Sequence, residues 1–447
     1  MIDQFSSFRI PAITLMVTRM LVAMLAASGM SQAHATVEYV LQGGASWYHF
    51  NNPFLFGERN SRNISDQAWS SDIGGAVFIP MPTQRSFLLL NGKASKLRYG
   101  SQTQLEHVQK QWEGLYQWEF DSILRGKFSH RDDVRLFSYY DGLRDGRRWP
   151  ENPDPNNPIY PTPGPALTDL ELPHLRQTQA EIALRISPRF DVPVTFTRES
   201  LRFRHEYDIT PYSLNSRSQQ IAIRYESGTK STLSAGVKRT TVDYPQRTEY
   251  EQFRYDSGYR DKEIFLDTAW RYTENTILLA WLGSINRQFN TQHHERLTST
   301  EIGADWHYSV KTWFTLRLWN RPESINESGD KLYSQVRGAQ VRMIWDATYK
   351  TNFQFLTSIE QERYRTFNNN ITSINAAVSQ DNKLLRFGVV MNYNISPKLT
   401  LRLETTRRQE ISGNDKHNNT VFRANIRYSF ENLTGNNRAR IKLDAMK

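Results

Sequence analysis

The sequence predicts an all-β protein: a transmembrane antiparallel β-barrel of about eighteen strands, with sixteen as the other even count within reach. The first observation behind this is an unbroken alternation near the C-terminus. Phe422, Ala424, Ile426, Tyr428 and Phe430 fall on one face of a strand, and Arg423, Asn425, Arg427 and Ser429 fall on the other, because successive strand side chains point to opposite sides. An apolar, aromatic face backed by a charged one suits a wall between lipid and water, and a Tyr-x-Phe ending suits a last barrel strand. The second observation is composition. Of 447 residues, 38% are hydrophobic and 12% aromatic, with mean hydropathy −0.64; a globular domain is roughly 45–50% apolar. After the first 35 residues no run approaches the roughly 20 apolar residues of a spanning helix. The third observation is that alternating segments come in pairs joined by tight turns, with longer polar stretches between pairs, which is the asymmetry of short periplasmic turns and long extracellular loops.

Taken in order, the chain opens on a different object. Arg9 and Arg19 precede Met20-Leu21-Val22-Ala23-Met24-Leu25-Ala26-Ala27, and Ala33-His34-Ala35 follows. A basic region, an apolar core and an A-x-A site read as a signal peptide over 1–35, with a retained anchor helix as the alternative. The barrel is expected over 36–430, its first strand running outward from Thr36 and its last returning to Phe430, so that both termini are periplasmic. The polar stretch 431–447 is expected to be a periplasmic tail. There is no cysteine, which excludes lipoprotein acylation, disulfides and thiolate metal sites. The expected location is the outer membrane of a Gram-negative bacterium.

The paired segments turn near Pro80-Met81-Pro82-Thr83, Phe120-Asp121-Ser122, Ser187-Pro188-Arg189, Glu226-Ser227-Gly228-Thr229-Lys230, Tyr272-Thr273-Glu274-Asn275, Ser309 to Lys311, Asp346-Ala347-Thr348-Tyr349-Lys350 and Asn394-Ile395-Ser396-Pro397-Lys398. Their Gly, Asn, Pro, Asp and Ser content is turn chemistry. Longer polar connections are expected at 51–66, 100–107, 138–173, 204–216, 243–261, 289–297, 324–334, 365–381 and 411–418. The proline-rich loop 149–173 cannot join a sheet. It is either a solvated surface loop or an inward fold that narrows the pore.

The alternation also assigns faces. Arg185, Arg224, Arg271, Arg317, Arg342, Arg386, Arg402, Arg423 and Arg427 fall on the polar face of their strands, as do Glu113, Glu119, Glu181, Glu301, Asp305, Glu360 and Glu404. Guanidinium groups in a lumen can hold anions bidentately, or the two signs can interlock as salt bridges that stiffen the wall; both readings stand on the sequence. Most of the tryptophans suit the membrane interface. Trp313, Trp319 and Trp281 fall on the polar face, where an aromatic either stacks on sugar rings or reports a slip of register. The formal net charge of +10 points to anionic partners, namely lipopolysaccharide headgroups or an acidic polymer. Nucleic acid is not expected, since an exported chain leaves the cytoplasm. No G-x-S-x-G, H-E-x-x-H or glycine-rich phosphate loop is present, and no metal or cofactor is expected; the chain does not read as an enzyme.

An ordered series of short motifs resembles the EpsL-type outer-membrane proteins of exopolysaccharide gene clusters, within a broader group of β-barrel porins. It comprises Asn51-Asn52-Pro53-Phe54-Leu55-Phe56; Trp112 and Trp118; Leu124-x-Gly126; the region 137–141; Tyr244-Pro245-Gln246-Arg247; Tyr259-Arg260-Asp261-Lys262-Glu263; Trp270; and Arg287-x-Phe289. The insertion at 149–173 and the continuation past Phe430 depart from that pattern. The resemblance implies a passive polar channel for exopolysaccharide export, with the polysaccharide and periplasmic export components as partners beside outer-membrane lipid. It brings no catalytic or binding residues. The alternatives are an uptake porin for small solutes or oligosaccharides, and a surface protein that anchors polysaccharide.

Overall fold

The computed structural model describes residues 37–52, 65–81, 86–121, 123–134, 172–202, 213–229, 231–245, 257–290, 294–323, 331–366, 382–412 and 415–432. The expected signal peptide (1–35), most of the proline-rich loop and the residues beyond 432 lie outside them. Eighteen strands follow one another: β1 (Glu38–Phe50), β2 (Asp66–Pro80), β3 (Phe87–Tyr99), β4 (His107–Phe120), β5 (Leu124–Val134) and β6 (His174–Ser187); β7 (Phe190–Arg202), β8 (Leu214–Glu226), β9 (Thr232–Asp243), β10 (Gly258–Thr273), β11 (Thr276–Phe289) and β12 (His294–Ser309); β13 (Thr312–Glu323), β14 (Lys331–Asp346), β15 (Thr351–Thr366), β16 (Asn382–Ser396), β17 (Leu399–Ser412) and β18 (Asp415–Glu431). Each pairs antiparallel with its neighbours in sequence, and β1 pairs with β18, so the 18-stranded sheet closes. Closure leaves no unpaired strand edge, which is the condition for a sheet to sit in hydrocarbon.

The turns at one end are built by a repeated local device. A two-residue turn joins β6 to β7, β10 to β11, β12 to β13 and β16 to β17, and each follows a register shift at the end of the first strand. In each, a hydroxyl just before the turn accepts the backbone N–H two residues on: Arg189 N–H to Ser187 Oγ (3.4 Å), Asn275 to Thr273 (3.2 Å), Lys311 to Ser309 (3.2 Å) and Lys398 to Ser396 (3.4 Å). Serine and threonine mimic a backbone turn in this way. At Asp121 the backbone φ is +47°, a conformation that a short polar side chain tolerates.

Residues opposite each other on antiparallel strands share a face, so the register fixes which way each side chain points. Leu41 faces Phe430, Leu266 faces Leu282, Ile302 faces Leu318 and Phe355 faces Val389. These form the outward, apolar belt, and Ile264 and Ile302 remain 70% and 50% exposed on it because lipid would cover them. Seven tryptophans (47, 69, 112, 118, 270, 306 and 345) point outward by the same register, which fits interface anchors. At the short-turn end they stack with neighbours, Trp306 on Phe314 at 5.6 Å and Trp345 on Phe353 at 5.6 Å. Carboxylates and arginines alternate inward. This is a membrane-spanning barrel of the outer-membrane type.

The long-loop end is less uniform than the sequence suggests. Connection 100–107 is a compact corner: a 3-10 turn at Thr103–Leu105, with Leu105 fully buried. The Asp66 carboxylate accepts the N–H groups of Ser101 (3.0 Å) and Gln102 (2.9 Å), which fixes the corner from the start of β2. The stretches 289–297 and 411–418 are mostly strand, since β12 begins at His294 and β18 at Asp415. Polar strand ends at this height read as loop because their outward residues have left the lipid.

Candidate functional site

The nine arginines assigned to the polar face all point into the barrel. The register sets Arg185 and Arg224 against Asp191, Arg271 against Ile277, Arg317 against Gln340, Arg342 against Leu356 and Arg386 against Ser358; Arg402 lies opposite Asn425, Arg423 opposite Glu404 and Arg427 opposite Thr400. Four of them are held by carboxylates of an adjacent strand, and Arg402 by Glu404 of its own strand. Arg224 grips Asp191 with two nitrogens (2.8 and 3.1 Å), and Arg125 donates to the same carboxylate from the other side. Arg317 reaches Asp305 at 3.0 Å, Arg386 reaches Glu360 at 3.3 Å, and Glu404 is shared by Arg402 at 3.1 Å and Arg423 at 3.9 Å. Arg423 is also tied to Ser46 across the closing seam (3.2 Å) and lies over the Tyr48 ring. Arg342 instead donates to the Gln354 amide (2.9 Å). Asp191, the hub of one of these networks, has no counterpart in the sequence-derived set; it stands alone in Phe190-Asp191-Val192, and only register brings two arginines to it.

The three inward tryptophans differ from one another. Trp281 is committed to the wall, since its ring stacks on Phe265 at 4.5 Å and its Nε1–H donates to Glu263 (3.2 Å). Trp319 lies across Gly338, its partner on β14, where any Cβ would overlap the indole; an aromatic shielding a cross-strand glycine is a known means of pinning register. Trp313 makes an edge contact with His307 (ring centroids 5.9 Å apart). Register thus removes the slipped-strand explanation for these residues. On the inner wall of β12–β15, Trp313, Trp319, Arg317, Arg342, Asp305 and Glu360 border a recess of about 630 Å³ with Glu301, His307, Thr315, Arg321 and Gln340. Its chemistry is mixed: guanidinium and carboxylate groups interleaved, with two half-buried indoles. Among the described residues no His, Asp and Glu cluster could hold a metal ion.

The family-like motifs lie elsewhere; residues 53–56, 137–141 and 246–247 fall outside the described residues, and several of the others have a structural use. Trp118 faces Gly126 on the outer surface and occupies the place a Cβ would take. Asn51 accepts the Thr420 N–H (2.6 Å) and Asn52 donates to the Asn418 carbonyl (3.0 Å), locking the top of the seam. Tyr259 and Phe289 lie in one buried apolar cluster with Tyr244, and Asp261 and Arg287 are buried beside Tyr259. There Arg287, 3% exposed, makes a bidentate pair with Asp261 (2.8 and 2.7 Å) beneath the Tyr259 ring.

No family model matches the sequence, and no curated protein does. The EpsL-type resemblance therefore rests on the motif series alone. Solved structures similar in overall form include OccAB3 of Acinetobacter baumannii (9% identity, 88% of this chain and 99% of that one, TM-score 0.44). OccK9 (OpdG) of Pseudomonas aeruginosa is 12% identical over 88% and 98% of the two chains, with TM-score 0.46. The outer membrane protein opdK of Pseudomonas aeruginosa is 11% identical over 89% and 99%, with TM-score 0.44. Likeness at this level carries no argument about what crosses the barrel.

Proposed function

We propose that the chain is a passive outer-membrane channel that admits small polar solutes along the β12–β15 wall. The observation that carries this reading is the closed barrel whose inner wall holds interleaved charges around a polar recess. Because Arg317, Arg386, Arg402 and Arg423 have carboxylate partners, the wall offers local dipoles more than a field of one sign. Such a surface favours solutes rich in hydroxyls, or carrying both charges, over simple anions. Arg342 is the arginine we assign to direct solute contact, with Trp313 presenting an apolar face to a sugar ring. Arg185, Arg271 and Arg427 are secondary candidates, and the remaining arginines chiefly hold the wall.

A second reading, passage of an exopolysaccharide, is favoured by Trp313 and Trp319 lying beside Arg317 and Arg342 on one inner wall, and by the motif series; it implies periplasmic polymer-handling partners. Single-channel conductance in planar bilayers separates the two. Brief, concentration-dependent blocks by mono- and oligosaccharides, weakened in Trp313→Ala and Arg342→Gln, are expected for the small-solute channel. Long blocks by purified polysaccharide, with none from small sugars, would transfer the assignment to export. A barrel that conducts nothing would remove both.

A further inference from the structure

We infer that the outer surface of β7–β10 carries a binding site for the phosphate groups of an anionic lipid of the outer leaflet. The outward residues of these strands are apolar from the short turns upward, then change abruptly. On β7, Phe190, Val192, Val194 and Phe196 are followed by Arg198; on β9, Leu233, Ala235 and Val237 are followed by Arg239. The register joins the cations into one band. Arg198 lies directly opposite Arg217, Arg239 lies directly opposite Lys262, and Arg217 and Arg239 are diagonal neighbours across β8 and β9.

Two head-on pairs of like charge are unfavourable in an isolated sheet. All four side chains are exposed, and among the described residues none has an ion pair. Outward carboxylates on the strands are Asp132 and Asp243 only, among the described residues. Asp132 is already bound to His174 (2.8 Å) and Arg176 (3.2 Å), and Asp243 lies two outward positions beyond Arg239. The carboxylates that could neutralise the band, Glu199 and Glu263, are the chain neighbours of Arg198 and Lys262 and so point inward.

An anion placed between the paired cations removes the repulsion and gains charge-assisted, bidentate hydrogen bonds. Position selects its source. The band sits one step above the apolar belt and faces away from the lumen, at the level where lipid headgroups meet a barrel. A solute in transit would not touch it. This inference is independent of what the lumen conducts.

The test uses the full barrel in non-ionic detergent, with heat-modifiable migration as the check on folding. Wild type is compared with Arg198→Gln/Arg217→Gln/Arg239→Gln/Lys262→Gln, using bisphosphorylated lipid A as the probe and native mass spectrometry as the readout. Wild type should retain lipid A, and the variant should bind it about tenfold more weakly or worse. Dephosphorylated lipid A should bind neither protein. Equal retention of lipid A by both proteins overturns the inference. Competition by equimolar inorganic phosphate would make this a free-anion site, and preference for an acidic polysaccharide a polymer site; either result overturns the lipid assignment. Should the quadruple variant not fold, Arg198→Gln and Lys262→Gln singly remove one member of each like pair. Lipid-free protein should then melt higher than wild type and gain less from lipid A; no change in either quantity also overturns the inference.

Discussion

On the inner wall of β12–β15, Trp313, Arg317 and Arg342 are half-buried and border a recess. On the inner wall of β18 and β1–β3, Ser46, Ala68, Ala76, Phe78, Leu97 and Asn425 point the same way and are buried. Both arcs obey the same alternation. The first carries long charged side chains that keep their heads hydrated; the second carries small and apolar residues that pack into clusters around Phe78 and Phe87 and around Phe50 and Tyr99. Pointing inward is therefore not the same as facing water, and a solute path has to be sought on the first arc.

The sharpest test of that contrast pits the buried pair at the mouth against a half-buried, solvent-touching one at the recess. Asp261→Ala leaves Arg287 without its bidentate partner and should cost about 3–5 kcal/mol, the penalty for an uncompensated buried charge. Asp305→Ala at the recess should cost about 1 kcal/mol or less, because both partners keep solvent. Denaturant unfolding in one detergent measures both, and equal losses would erase the distinction. Phe78→Ala, in the packed arc, should destabilise by about 3–5 kcal/mol, whereas Trp313→Ala should leave unfolding nearly unchanged and alter only block kinetics. Gly338→Ala forces a methyl into the Trp319 ring, an overpacking of about 1–3 kcal/mol, and the displaced indole should narrow the recess and lower conductance. The smallest expected effect is on ion selectivity. Arg342→Glu should shift reversal potentials in a salt gradient toward cations more than Arg423→Glu does, since Arg423 is already bound to Glu404 and Ser46.

Much of the fold was legible because one signal, the two-residue rhythm, is repeated in strand after strand and survives local error. The turns were legible for a second reason: Ser187, Thr273, Ser309 and Ser396 act within their own hairpins. The site was less so. The rhythm placed Arg224 and Arg386 on the correct face, but the carboxylates that engage them come from other strands, and only register shows the pairing. Trp281 reads from sequence like Trp313, yet its stack on Phe265 removes it from the lumen's chemistry. One warning was present in the packed arc. Ala76-Val77-Phe78-Ile79 and Leu88-Leu89-Leu90 do not alternate, and near-continuous apolar runs mean strands covered on both sides.

The seam joining β1 to β18 also governs how the molecule comes into being. Asn432 accepts the Tyr39 N–H (2.6 Å), donates from its own N–H to the Tyr39 carbonyl (3.2 Å) and from its amide to the Val37 carbonyl (3.1 Å), at a separation of 393 residues. Contacts that distant cannot nucleate assembly, because the ends must first be brought together at the entropic expense of an enormous loop. Every hairpin between them can zip locally beforehand, so the nascent sheet passes through a stage as an open ribbon with two sticky margins. Whatever inserts this chain has to shield both margins until the final strand arrives, and cutting the polypeptide just before Asn432 should prolong that vulnerable stage without disturbing the hairpins already made.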